Sequence, residues 1–121
     1  MNRSDLEERT RVDRLFDVYG ALLTEKQRIA FQMHQDEDLS LAESAELLNM
    51  TRQGVHDLYN RAKARLVKLE NLLGFADIEQ RYNDCLVKLM EICKESRVDL
   101  PEDLVLEIKK LTGLEIEEEE E

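Results

Sequence analysis

Between Ser40 and Thr51 the chain spells a helix start, a helix stop and a second helix start, which is the sequence form of a helix-turn-helix. Ser40 and Glu43 have the Ser-x-x-Glu spacing of a capping box, in which each side chain satisfies the other residue's free backbone N–H, so a helix is predicted to begin there. Asn49 tolerates the left-handed backbone that closes many helices, and Thr51 stands where its hydroxyl can cap the next one. Two helices joined so tightly must cross steeply. That crossing is the arrangement that delivers a second helix into the major groove of DNA. The whole motif runs from Leu39 to Leu66.

The second helix separates its faces. Val55, Tyr59, Ala62, Leu66, Leu69 and Leu73 recur at helical spacing and make an apolar stripe, with Tyr59 read as core. Arg52, Gln53, His56 and Asn60 lie on another side and are the candidates for contacts to base edges, because Arg can bond guanine twice and Gln or Asn can do the same with adenine. Thr51, Arg61, Arg65 and Lys68 are the candidates for phosphate contacts, which position a protein without reading sequence. The plain alternative is a face that is only solvated. Ser44 is out of character in the first helix of the motif, at a place where the pattern wants a large apolar side chain, and a loosened scaffold helix is one expectation from it.

A family resemblance becomes specific at this point. Leu15 to Tyr19, Leu22 to Arg28, Ser40 to Glu43, and Thr51 to Val55 with Asp57 and Arg61 look like the YlxM family of Gram-positive bacteria, over roughly residues 10 to 70. These are small proteins related to region 4 of bacterial sigma factors. The resemblance implies an all-α, sigma-region-4-like helix-turn-helix domain with DNA-binding character. Because family members are typically encoded beside the GTPase genes of the signal recognition particle (SRP), it also implies a link to that targeting pathway. Carried over by position, it sets the recognition helix on Thr51, Arg52, Gln53, Val55, Asp57 and Arg61. The chain departs from the family pattern where Ser44 replaces an expected Ile, Gly54 an expected Ala, His56 an expected Tyr, and Tyr59 an expected aliphatic residue.

Charge argues against simple nucleic-acid affinity. A net charge of −11 repels a phosphate backbone at long range. The charge is uneven, however: residues 51 to 70 hold 5 basic and 2 acidic side chains, while residues 1 to 50 hold 6 and 11, and residues 71 to 121 hold 6 and 15. The basic island coincides with the proposed recognition helix. Because the screening length at physiological salt is about 8 Å, such an island can act locally on an acidic protein. An acidic body also suits a protein partner with a basic surface.

Upstream, Ser4 with Glu7 and Thr24 with Gln27 repeat the capping signature. The first is predicted to open a helix carrying Val12, Leu15, Phe16, Tyr19, Leu22 and Leu23, weakened or ended at Gly20; the second, a helix carrying Ile29, Ala30 and Met33 toward the core and closed by Asp36, Glu37 and Asp38. Together with the motif they make a four-helix domain over residues 1–73. Beyond Gly74, in an extension over residues 74–114, Ile78, Tyr82, Cys85, Leu86, Leu89, Ile92 and Cys93 approach the 3-4 alternation of a coiled-coil seam on a helix of about twenty residues. That helix either folds back on its own domain or supplies a homodimer contact, as DNA-binding helix-turn-helix proteins commonly use. Asp99 and Glu102 are predicted to cap a last helix with Leu104, Val105, Ile108 and Leu111 on its apolar side, stopped by Gly113. The acidic run over residues 115–121 is expected to be disordered.

Catalysis finds no signature. There is no Gly-rich phosphate loop ending in Gly-Lys-Ser/Thr. Only two histidines, His34 and His56, are present, and no Cys-x-x-Cys or His-Glu-x-x-His spacing, so neither a metal nor another cofactor is expected. Cys85 and Cys93, about 12 Å apart along one helix, are too distant for a disulfide and read as small core residues in a reducing compartment. With no apolar run of the roughly 18 residues a membrane span needs, and no apolar signal core at the N-terminus, a cytoplasmic protein without membrane insertion is expected. Two functions stay open: an accessory protein of SRP targeting that engages the particle's GTPase or RNA, and a sequence-specific DNA-binding regulator. A homodimeric scaffold with an unused helix-turn-helix is a third.

Overall fold

A computed structural model describes residues 2–35 and 38–114. Among them the fold is all-α, with six helices and no strand: α1 (Arg3–Tyr19), α2 (Glu25–Gln35), α3 (Leu41–Leu47), α4 (Arg52–Leu73), α5 (Phe75–Glu95) and α6 (Glu102–Thr112), with a single 3-10 turn over Gly20–Leu22. The acidic run at 115–121 and the Asp36–Glu37 pair lie outside the described residues. The chain divides into two compact units, residues 1–76 and 77–121.

In the first unit, local capping chemistry sets the helix starts. Asn2, rather than the Ser4–Glu7 box, opens α1: its side-chain oxygen accepts the Asp5 N–H at 2.9 Å, which places Ser4 inside the first turn. Asn caps as well as Ser does, and taking it lets the helix begin earlier. Thr24 and Gln27 do form a reciprocal box, the Gln27 N–H donating to Thr24 at 3.2 Å and the Thr24 N–H donating to the Gln27 side chain at 3.1 Å. At α3 the exchange is only half as expected. The Glu43 N–H donates to Ser40 Oγ at 3.0 Å, but the Glu43 carboxylate accepts from the Ser40 hydroxyl, not from its backbone N–H.

The core gathers on α4, which packs against α1, α2 and α3. Val12, Leu15, Tyr19, Leu23, Phe31, Ala62, Leu66 and Ala76 form the buried cluster, with Phe16, Tyr59, Val67 and Leu69 packed on it. Each buried aliphatic side chain of this kind contributes about 1.5–3 kcal/mol. Three aromatic rings continue from helix to helix: Phe16 stacks on Phe31 at 4.5 Å, and Phe31 on Tyr59 at 5.5 Å. Gly20 has a reason here. A Cβ on it would come within 3.1 Å of the Phe16 ring, so the glycine lets α1 close tightly against its own aromatic.

The apolar stripes hold with particular exceptions. Phe31, fully buried, carries the weight of α2, whereas Ile29 and Met33 are half-buried. Leu22 and Leu73 are exposed, the first because the 3-10 turn rotates it off the α1 stripe and the second because α4 ends beside it.

A hydrogen-bonded clasp finishes this unit. The hydroxyl of buried Tyr19 donates to a Glu70 carboxylate oxygen at 2.8 Å and accepts the Phe75 N–H at 3.0 Å, and the same Glu70 oxygen accepts the Ala76 N–H at 3.0 Å. Tyr19 and Glu70 therefore satisfy the first free N–H groups of α5, which every helix start leaves without an internal partner. Burial, then the bond to Glu70, pushes the Tyr19 phenol above its usual range. Gly74 closes α4 with φ +67, the left-handed region that glycine enters at no steric cost.

The second unit is built differently. α5 closes with Arg97 in the left-handed region at φ 56, where the Val98 N–H reaches the Cys93 carbonyl at 2.9 Å. α6 starts after Pro101 without a side-chain cap, so the anticipated Asp99 cap is not used. Proline presets the backbone there, and Glu102 and Asp103 put negative charge at the positive end of the helix dipole. Gly113 ends α6 as anticipated, at φ 68. Ile108 is the one buried side chain among the described residues of this unit. Ile78, Tyr82, Leu89 and Ile92 of the seam are all exposed, and so is Cys85, which is therefore not a core residue; Leu104 and Leu111 of α6 are exposed too.

Candidate nucleic-acid interface

The turn between α3 and α4 fixes how α4 presents itself. α3 ends in a double closure: the Asn49 N–H donates to the Glu46 carbonyl at 3.1 Å and the Met50 N–H to the Ala45 carbonyl at 2.9 Å, with Asn49 itself left-handed at φ 52. Thr51 follows immediately. Its hydroxyl accepts the Gly54 N–H at 3.0 Å and caps α4. A Cβ on Gly54 would stand 3.0 Å from that hydroxyl and 3.3 Å from the Met50 methyl, so glycine leaves room for the cap. Val55, nearly fully buried, pins the first turn of α4 to the core and is a packing residue, not a contact residue.

With Val55 turned inward, the opposite side of the first turns faces water. Arg52, Gln53, His56 and Asn60 are all exposed, and so are Thr51, Arg61, Arg65 and Lys68. Their surroundings differ. The Gln53 amide donates to the Asp57 carboxylate at 2.8 Å, which orients Gln53 but occupies one of its donors. Arg65 donates through Nε to the Leu22 carbonyl at 3.3 Å, satisfying the end of the 3-10 turn. Arg52, Arg61 and Lys68 have no acidic partner among the described residues, so they carry the available charge of the basic island.

Lys63 is the residue that sequence reasoning missed. It recurs with Arg52, His56 and Asn60 at helical spacing, and its ammonium is held by Glu8 of α1 at 2.7 Å. That bond, with the charge of Lys63, keeps the Glu8 carboxyl below its ordinary range. Glu8 offsets the positive charge of Lys63 at this point of the face, whereas Arg61, Arg65 and Lys68 have no such acid on them among the described residues. The spacing of Lys63 was visible in the sequence, but the pairing with a residue 55 positions away was not.

Behind the first turns of α4 lies a stacked pair. The His34 and Tyr59 rings stand 3.7 Å apart and 5° from parallel. His34 is exposed overall, yet partial burial of its ring, aided by the positive charges of Arg9 and His56, lowers its pKa and favours the neutral imidazole. Tyr59, half-buried, is raised by burial. No group of three metal-ligating side chains occurs among the described residues. No described helix is long and apolar enough to cross a membrane.

The family model for UPF0122, described as "Putative helix-turn-helix protein, YlxM / p13 like", matches residues 6–104. The chain belongs to this family. The UPF0122 protein of Clostridium botulinum (strain Alaska E43 / Type E3) is 36% identical over 109 residues, covering 90% of this chain and 100% of the relative. The UPF0122 protein of Thermoanaerobacter sp. (strain X514) is 43% identical over 107 residues, covering 86% of this chain and 89% of the relative. A third, from Clostridium kluyveri (strain NBRC 12016), is 44% identical over 72 residues, or 60% of this chain and 65% of the relative. No solved structure matches the chain. The UPF0122 match spans α1 to the first residues of α6, and so takes in the helix-turn-helix and the exposed seam of α5 together.

Proposed function

We propose that this UPF0122 protein is a non-enzymatic, cytoplasmic helix-turn-helix accessory protein that engages nucleic acid through the first turns of α4. The observation that carries the reading is the coincidence, on one capped helix, of exposed Arg52, Gln53, His56 and Asn60 with a stretch, residues 51 to 70, that holds 5 basic and 2 acidic side chains in a chain of −11. Arg52, His56 and Asn60 meet base edges, with Gln53 joining once it exchanges Asp57 for a base; Thr51, Arg61, Arg65 and Lys68 meet phosphates, Arg65 through the guanidinium nitrogens left over from its bond to Leu22.

The family resemblance adds a setting, the SRP targeting pathway, with the particle's RNA or GTPase as partner. A second reading, a sequence-specific DNA-binding regulator, is favoured by groove geometry. The major groove of B-form DNA admits a helix, whereas the deep, narrow groove of an RNA duplex does not, so an RNA target has to offer unpaired bases.

Anisotropy titrations at two salt concentrations, with a random duplex DNA and with a structured RNA containing loops, test the reading. Binding to either that is lost in the Arg52→Ala, Arg61→Ala double variant supports it, and a double variant that binds like the wild type refutes it. Preference for the loops points to the RNA setting, and preference for a discrete duplex to the regulator.

The protein works as a homodimer in this reading, with α5 against α5 of a second copy. A helix pair with one buried side chain lacks the core that a unit of about 40 residues needs, and Ile78, Tyr82, Leu89 and Ile92 form a row at seam spacing able to supply it.

A further inference from the structure

α3 keeps its helix despite Ser44, and the missing bulk appears as space. Ala30 and Met33 of α2, Leu39, Leu41 and Ser44 at α3, and Val55, His56 and Tyr59 of α4, with His34, surround a cleft of about 200 Å³. Ala30, Ser44 and Val55 are its buried floor at 0, 4 and 3% exposure, and the exposed Leu41 and His56 stand at its rim. The Ser44 hydroxyl makes no hydrogen bond to any described residue, and Ser44 lines the cleft. Among the described residues, no Asp, Glu, Lys or Arg lines the space.

We infer that this cleft is a binding site for a small, uncharged aromatic molecule carrying one hydrogen-bonding group, received by the Ser44 hydroxyl. Size sets the class: a dry cavity of about 150 Å³ accepts benzene, while drug-sized ligands need roughly 300 Å³ or more, so one or two fused rings fit. The walls agree. Met33 offers a polarisable thioether, and the stacked His34–Tyr59 pair offers aromatic surface. A charged ligand finds no counter-charge among the lining residues, and burial against apolar floor penalises it. Since His56 belongs both to this rim and to the reading face, occupancy alters how α4 presents His56. That coupling rests on the proposed nucleic-acid reading; the site itself does not.

The test is an indole titration of the full-length protein, without nucleic acid, followed by amide chemical shifts. Saturable shifts at Ala30, Ser44, Val55 and Tyr59 are expected. Ser44→Ile, which fills the cleft, is expected to weaken binding at least tenfold. Ser44→Ala, which keeps the space and the fold, is expected to weaken it severalfold by removing the hydroxyl. Absence of saturable shifts in the wild type overturns the inference, as does binding of equal strength in either variant. Because nucleic acid is absent, failure here leaves the reading of α4 standing, and failure of that reading leaves the cleft.

Discussion

The four-helix unit and the α5–α6 unit are made of the same kind of amphipathic helix, yet one buries its stripe and the other leaves it in water. In the first, Leu15, Phe31, Ala62 and Leu66 are at 2% exposure or less. In the second, a stripe of comparable regularity leaves Tyr82 at 69% and Leu111 at 71%. The difference teaches that apolar periodicity specifies a face, and not what covers it. Covering comes from how many helices the connections bring together, and short links gather α1 to α4 around a common centre.

The sharpest way to break that comparison is to cut matched residues from each unit. Leu66→Ala should lower unfolding free energy by about 2–5 kcal/mol in urea titration, because it empties a fully enclosed site. Leu89→Ala, measured on dilute protein where a dimer is dissociated, should stay within about 0.5 kcal/mol. A large loss at Leu89 under those conditions would mean that the seam is covered within one chain.

Tyr19→Phe probes the clasp between the α4 end and the α5 start. Removing the hydroxyl leaves Glu70 and the Phe75 N–H each short of a partner, and a cost of about 1–3 kcal/mol is expected, with faster hydrogen exchange at Phe75. Unchanged exchange at that amide would show that α5 does not depend on the clasp.

Cys85 offers a probe of the seam that needs no loss of stability. It is exposed and central on α5, so in the Cys93→Ser background mild oxidation should yield a disulfide-linked dimer if two α5 helices pair about their middle. Purely monomeric protein after oxidation, at concentrations well above micromolar, would argue against the homodimer.

The smallest effect expected is a pH dependence. The folded state lowers the pKa of His34 from 6.5, so between that lowered value and 6.5 the unfolded chain binds more protons. His34 therefore adds stability above pH 6.5 that is lost as the pH falls through this window. His34→Gln should flatten the stability profile between pH 7 and 5 relative to the wild type, and parallel profiles would remove His34 from the account.

Much of the architecture was legible because it is local. Ser40, Asn49, Thr51, Gly74 and Gly113 mark helix ends through bonds or dihedral preferences spanning a few residues, and the structure uses each of them. Ser4 and Asp99 misled because a capping pattern is permissive: Asn2 supplied an equally good cap earlier, and Pro101 preset α6 without one. What stayed hidden is long-range. Tyr19 with Glu70, Lys63 with Glu8, and Arg65 with the Leu22 carbonyl join positions more than forty residues apart, and spacing along one helix carries no sign of them. At the candidate interface the exposed residues of α4 followed from its apolar stripe, and Gln53's bond to Asp57 is local at i,i+4 spacing, while the cleft beside Ser44 depended on packing of three helices.

The central claim is that the first turns of α4 contact nucleic acid, and crosslinking in cells followed by sequencing of the recovered RNA and DNA tests it most directly. Wild-type protein should recover a discrete set of fragments, and the Arg52→Ala, Arg61→Ala double variant, folded and equally abundant, should lose them. Recovery of the same fragments by both proteins, or of nothing above background by the wild type, would contradict it.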